Sequence, residues 1–268
     1  MNTKLIVSGC LGRMGKMISR LVLLDSELEL IVGVEQSAFP GLKDDLGSTI
    51  LGEKRGILIV EDIREHIKNA DLVIEFSTPD ATLRHLRVVS EFGKGMVIGT
   101  TGFNAEQLKE LENLSERAAV LISPNMSIGI NVLFKIIPQL TELLGEDYDI
   151  EVVEAHHNKK KDAPSGTAKR IAELIKSVRR DLVLTYGREG SSAQRKKNDL
   201  TMHALRLGEI VGEHKIIFAG NNEVIELSHS AISRDIFARG AILGVKYIKD
   251  KKAGLYTMQD VLSAKLGG

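Results

Sequence analysis

In the first 123 residues, short β-branched apolar runs alternate with longer stretches of helical spacing. The runs 4–8, 29–35, 57–60, 71–76, 96–100 and 119–123 read as strands, and 14–24, 63–69, 81–92 and 105–118 as helices. Strands that are apolar on both faces need cover on both faces, which parallel sheets obtain from crossover helices. This segment is therefore expected to be a doubly wound α/β domain. Beyond Pro124 the rhythm changes. A helix over 128–144, a strand over 148–155, a polar loop and a helix over 167–180 precede three strand-like segments, 201–207, 209–219 and 222–230. Gly208 and Gly220-Asn221 separate those segments in a hairpin pattern, so an antiparallel arrangement is expected there. The polar stretch 187–199 is expected to be a long mobile loop, and 235–249 a final helix.

Composition narrows the choice of partner. Thirty-six Lys and Arg balance 36 Asp and Glu, which leaves no global field for nucleic acid or an anionic membrane. At ~150 residues per domain the length suggests two domains. The single cysteine, Cys10, excludes an internal disulfide and a Cys-based zinc site; no metal is expected. With no signal-like N-terminus and no run of ~20 consecutive apolar residues, the expected compartment is the cytoplasm. Aromatic residues make up 4% and Trp is absent, which argues against a base-stacking platform.

Two glycine clusters stand at the carboxyl ends of predicted strands. Gly9-Cys10-Leu11-Gly12-Arg13-Met14-Gly15 joins the first strand to the first helix, and Glu35 ends the second strand. Glycines there let the backbone approach a pyrophosphate held by helix N–H groups, and the acid suits a ribose hydroxyl. The pattern is GxxGxxG rather than GxGxxG, and a merely tight strand-to-helix turn is the alternative. Gly99-Thr100-Thr101-Gly102 follows a later strand and would be an ordinary turn if it stood alone. Together the two favour a dinucleotide.

The densest chemistry is Glu154-Ala155-His156-His157-Asn158-Lys159-Lys160-Lys161-Asp162-Ala163-Pro164-Ser165-Gly166-Thr167. Ser165-Gly166-Thr167 opens a helix whose N–H groups suit a carboxylate, histidine exchanges protons near neutrality, and lysine adds a cation. On their own, three lysines are also what a solvated face looks like. Adjacent histidines share a site only where the strand ends or bulges. Ser165 lacks the elbow of a nucleophile, so capping or anion binding is its expected role.

These segments, with EFSTPDAT from Glu75, SPNMSIGIN from Ser123 and SHSAISRDIFARGA from Ser228, resemble the 4-hydroxy-tetrahydrodipicolinate reductase (dihydrodipicolinate reductase) family over nearly the whole chain. The resemblance implies a Rossmann-like domain, 1–126 with 233–268, and an inserted α+β domain, 127–232, with a mixed, largely antiparallel sheet for substrate binding and oligomerisation. It implies NADH- or NADPH-dependent reduction of the cyclic imine formed when 4-hydroxy-tetrahydrodipicolinate loses water, in lysine biosynthesis through diaminopimelate. It also implies homotetramers. By the same resemblance His156 is the acid/base and Lys160 a second proton donor, while His157, Ser165, Gly166 and Thr167 hold substrate carboxylates. The cofactor would touch Gly9, Cys10, Leu11, Gly12, Arg13, Met14, Glu35, Gly99, Thr100, Thr101, Ser123, Pro124, Asn125 and Met126. Gln36 stands where an arginine often meets the 2′-phosphate of NADPH, so NADH is expected to serve at least as well. Two rival readings are another two-domain dehydrogenase of amino or sugar acids and a noncatalytic dinucleotide sensor.

Overall fold

The computed structural model describes residues 2–39, 41–191 and 193–266. The chain divides into two compact units, Met1–Ile128 with Asp235–Gly268, and Gly129–Arg234. In the first, the strands β1 (Thr3–Ser8), β2 (Leu28–Val34), β3 (Ile59–Val60), β4 (Leu72–Glu75), β5 (Gly95–Ile98) and β6 (Ala119–Ile122) divide their side chains by parity, except that in β2 a register shift opposite Leu5 and Ile6 sends Leu28 and Leu30 to one core and Val32 and Val34 to the other. Leu5, Val7, Leu72, Ile74, Val97 and Leu121 enter one core, and Ile6, Val73, Met96, Ile98 and Val120 the other. Successive side chains of a strand face opposite ways, so each continuous apolar run supplies both cores. Helix α1 (Arg13–Leu24) closes the first core with Ile18 and Val22, and the short α2 (Leu46–Leu51) adds Leu46. Helices α3 (Pro79–Glu91) and α4 (Ala105–Ser115) close the second with Leu83, Leu86, Val89 and Leu111. Residues 63–69, expected as a helix, form one regular 3₁₀ turn at Ile67–Asn69.

The second unit is a sheet covered on one face. Helix α5 (Ile128–Leu144) and helix α6 (Gly166–Val178) press Ile130, Leu133, Ile137, Ile171 and Ile175 onto the sheet. The strands are β7 (Asp149–His156), β8 (Val183–Tyr186), β9 (Asp199–Arg206), β10 (Gly212–Gly220) and β11 (Glu223–Ala231). Their order is β11-β10-β7-β9-β8. The sheet is mixed: β10 pairs antiparallel with β11 and β7, while β9 runs parallel to β7 and β8. The expected hairpin between 201–207 and 209–219 does not form, because β7 lies between those strands. The linker instead wraps the end of β7, with Leu207 N–H on His156 O at 3.0 Å and His157 N–H on Ile210 O at 2.8 Å. The true hairpin, β10 to β11, turns at Asn221 and Asn222 with φ of +49° and +62°, the left-handed values a type I′ turn needs. The stretch expected to be mobile is tethered on both sides. Arg188 donates to Glu151 at 2.6 and 3.2 Å, and Arg195 meets Asp149 at 2.7 Å.

Among the described residues one helical stretch, Ile128–Asp147, is long and apolar enough to cross a membrane by length and composition alone. Its Ile130, Leu133 and Ile137 are buried in the core of the second unit.

The chain then returns to the first sheet. Helix α7 (Asp235–Ile248) buries Ala238, Ala241, Val245 and Ile248 in the core shared with α1. A strand and a helix unforeseen in the sequence follow, β12 (Gly254–Tyr256) beside β6 and α8 (Met258–Leu266). The completed seven-stranded sheet, β12-β6-β5-β4-β1-β2-β3, pairs in parallel throughout. Strand β1 lies between β2 and β4, so successive connections leave it in opposite directions. The crevice at the carboxyl ends of β1 and β4 is where open α/β sheets hold ligands.

Candidate functional site

At that crevice the glycine turn is built by close approach. Gly9 has φ +70°, and a Cβ on it would collide with Phe76 O. A Cβ on Gly15 would collide with Gly9 O and lie 2.7 Å from Cys10 Cα, so glycine is what allows α1 to lean against the turn. Helices α2, α3, α4 and α6 start with side-chain caps from Asp45, Thr78, Asn104 and Ser165. Helix α1 starts at Gly12 with no side-chain cap. Its first N–H groups are thus left for an anion. Glu35 reaches back to the turn, accepting from Leu11 N–H at 3.2 Å and from Gln36 N–H at 3.1 Å.

A cleft of about 1020 Å³ opens beside the turn, lined by Gly9, Gly12, Glu35 and Gln36. The uncapped helix, the glycines and this volume fit a dinucleotide. Not every expected cofactor residue offers its side chain. Cys10, Leu11 and Met126 are buried in the core, and burial, with Glu35 nearby, pushes the Cys10 thiol up to about 12. Thr100 Oγ1 lies 3.1 Å from the Ser77 N–H and 2.9 Å from Thr82 Oγ1, where it ties β5 to the start of α3. Gly99 makes room for the Phe76 ring. Cys10, Leu11, Met126 and Thr100 thus commit their side chains to structure, and these four and Gly99 would meet a ligand through backbone. Arg13, Thr101 and Pro124 are exposed, and Met14 is half-buried. Ser123 donates to Asn125 O at 2.7 Å, shaping the turn after β6.

Sequence reasoning missed the other wall of the cleft, which includes Ser8, Phe76, Ser77, Arg84 and His85. Glu75 is fully buried there; its Oε1 accepts from Ser8 at 3.0 Å and Ser77 at 2.5 Å, and its Oε2 meets His85 Nδ1 at 2.7 Å. The signal was a carboxylate ending an apolar strand.

In the second unit, sheet register assembles the rest of the chemistry. Glu154 and His156 stand two apart on β7 and so share its helix-covered face. Across the sheet, His214 of β10 is opposite Glu154 and Arg206 of β9 is opposite His156. Glu154 is 1% exposed. Its carboxylate meets His156 Nδ1 at 2.5 Å and accepts from Arg206 at 2.8 and 3.0 Å and from Ser165 N–H at 3.1 Å. Burial opposes its charge, but the hydrogen bonds from His156, Arg206 and Ser165 prevail and take the carboxyl down to about 2. His214 stands edge-on to His156 and lies 3.1 Å from Ser165 Oγ through Nε2. Burial, with His156 nearby, pushes His214 down to about 3, so it is a neutral ring.

Strand β7 ends at His156, which leaves His157 in the following loop, free of the alternation that would send adjacent histidines to opposite faces. Ser165 caps Ala168 N–H at 3.2 Å, Gly166 is exposed, and Thr167 is half-buried in the first turn of α6. Lys160 pairs with Asp162 at 2.8 Å. Glu154 stands inside the motif read from the sequence, though without a task there. Arg206 and His214 were not singled out, because they lie on later strands and need the sheet register to be found. The described residues hold no group of three or more metal-ligating side chains.

The N-terminal model of dihydrodipicolinate reductase matches residues 3–126, and its C-terminal model matches residues 129–262. The chain belongs to the dihydrodipicolinate reductase family. It is 43% identical to 4-hydroxy-tetrahydrodipicolinate reductase of Syntrophobacter fumaroxidans over 97% of this chain and 98% of that one. The corresponding protein of Polynucleobacter necessarius is 39% identical over 98% and 99%. A solved dihydrodipicolinate reductase from Paenisporosarcina, 23% identical, shares the fold at a TM-score of 0.77 over 97% of this chain and 99% of that one. Reductases of this family are oxidoreductases with a Rossmann-like nucleotide domain, so this chain is an enzyme of that class.

Proposed function

We propose that this chain uses a reduced nicotinamide dinucleotide to convert 4-hydroxy-tetrahydrodipicolinate, after loss of water, to tetrahydrodipicolinate for lysine biosynthesis. The full-length family match carries the reading. The net change replaces the 4-hydroxyl by hydrogen. Dehydration conjugates a new ring C=C with the ring C=N, and one hydride and one proton then add across that system. A bound reduced nicotinamide supplies the hydride. The atom balance puts it on the carbon that lost the hydroxyl rather than on the imine carbon, so the product keeps one C=N. What remains for the protein is to hold two carboxylates and deliver a proton.

His156 delivers that proton from Nε2, since Nδ1 is engaged by Glu154. Lys160 serves as second donor by exchanging Asp162 for the substrate. His157, Ser165, Gly166 and Thr167 hold the carboxylates at the start of α6. On the nucleotide side the backbone of Gly9, Cys10, Leu11, Gly12, Arg13 and Met14 would cradle the pyrophosphate, and Glu35 would take ribose hydroxyls. Gly99 to Thr101 and Ser123 to Met126 would contribute further backbone contacts. On this reading the first unit would be the dinucleotide domain and the second the substrate and oligomerisation domain, in a cytoplasmic homotetramer as the family resemblance implies.

Gln36 is exposed on the cleft and lacks the charge that a 2′-phosphate wants. Arg64 also lines the cleft but is paired with Glu91 at 3.0 Å. With freshly prepared 4-hydroxy-tetrahydrodipicolinate, kcat/KM for NADH is expected to equal or exceed that for NADPH. Gln36→Arg is expected to raise the NADPH value about tenfold, the worth of one charge-assisted contact. A strong NADPH preference in the unaltered enzyme would refute the specificity assignment, and no oxidation of either cofactor would refute the function.

A further inference from the structure

We propose that Glu154, clamped by Arg206, is the positioning residue for proton transfer: it fixes which nitrogen of His156 faces the substrate and locks the other elements of the site to the same point. The inference rests on the reading of His156 as proton donor. As a purely structural anion Glu154 would already be satisfied by the two Arg206 contacts and the Ser165 N–H, yet Oε2 also takes His156 Nδ1 at 2.5 Å. The bond makes Nδ1 the donor and leaves Nε2 as the exchanging atom. Arg206 supplies the counter-charge, so orientation of the imidazole does not depend on the charge of the ring itself. Through the same guanidinium, Arg206 donates to Asp162 O at 2.7 Å and thereby anchors the loop that carries Lys160. Through Ser165 N–H, the carboxylate also anchors the start of α6. Donor nitrogen, second cation and helix terminus are thus referred to one buried carboxylate.

The groups that bear on Glu154 are His156 on its own strand, Arg206 from β9, His214 from β10 and, beyond them, Lys160 and Asp162 from the loop and His229 from β11. Of these His214 is neutral, so the charges that govern the hub are Glu154, Arg206 and His156 in its proton-donating form, with the Lys160–Asp162 pair at its margin.

Glu154→Gln is expected to lower kcat by roughly 10–100-fold with a smaller rise in KM and unchanged cofactor affinity, and to displace the pH profile of kcat, and Glu154→Asp is expected to regain some of the loss. The unaltered enzyme provides a test that needs no variant. In ¹⁵N NMR, neutral His156 is expected as the Nδ1–H tautomer. A wild-type kcat and pH profile in folded Glu154→Gln, or an Nε2–H tautomer in the unaltered enzyme, would overturn the inference. If His156→Gln itself leaves kcat unchanged, the underlying reading fails instead.

Discussion

His156→Gln is expected to lower kcat by about 10²–10⁴-fold, the usual contribution of a positioned acid or base, while raising KM much less. The reason lies in where the proton is needed. On the proposed reading dicarboxylate binding would fall to α6 and its neighbours, whereas His156 would transfer its proton during the reduction, so that its loss would be felt in the transition state. Glutamine keeps a polar group of similar reach toward Glu154 but cannot exchange a proton near neutrality. NADH affinity, measured by fluorescence titration, should be unaltered, because the dinucleotide turn belongs to the other unit. An unchanged kcat would remove His156 from the chemistry.

Gly15→Ala is expected to damage the nucleotide unit more than any other single methyl in the turn. The added carbon would collide with Gly9 O and lie 2.7 Å from Cys10 Cα, and backbone cannot swing aside as a side chain can. Either α1 moves off the turn or the turn deforms. Overpacking commonly costs about 1–3 kcal/mol, with rigid backbone at the upper end. Moving α1 also disturbs Ile18 and Val22, both fully buried in the core shared with α7. Thermal unfolding should show a large loss of stability, and calorimetric titration a fall in NADH affinity of about 100-fold or more, as the helix N–H groups leave the pyrophosphate. Wild-type values for both would contradict the turn's assigned role.

The sheet of the first unit was legible because its strands are continuous apolar runs that bury residues on both faces. Leu5, Ile6 and Val7 have no accessible surface and divide between two cores, a pattern hard to mistake. Elements without such a run were not legible. Strand β12 has three residues at the sheet edge, and α2 is a six-residue helix. The misreading of β9 has a different origin. Gly208 resembles a hairpin turn, with φ +51°, but nothing local says that a third strand will lie between its arms. The same limit governed the site. His156, Lys160 and Ser165 lie in one short motif and were found together. Their supports, Arg206 and His214, come from strands whose pairing with β7 only the fold reveals. Glu154 was within reach, since a carboxylate two positions before a strand histidine shares its face.

Reduction at the carbon that loses the hydroxyl can be followed by tracing the hydride. Incubated with freshly prepared 4-hydroxy-tetrahydrodipicolinate and NADH doubly deuterated at the nicotinamide C4, the enzyme is expected to give tetrahydrodipicolinate with one deuterium, at ring carbon 4 by NMR. Deuterium at another ring carbon would exclude hydride transfer to the carbon that loses the hydroxyl, and cofactor that stays reduced while substrate is present would exclude the reductase reaction itself.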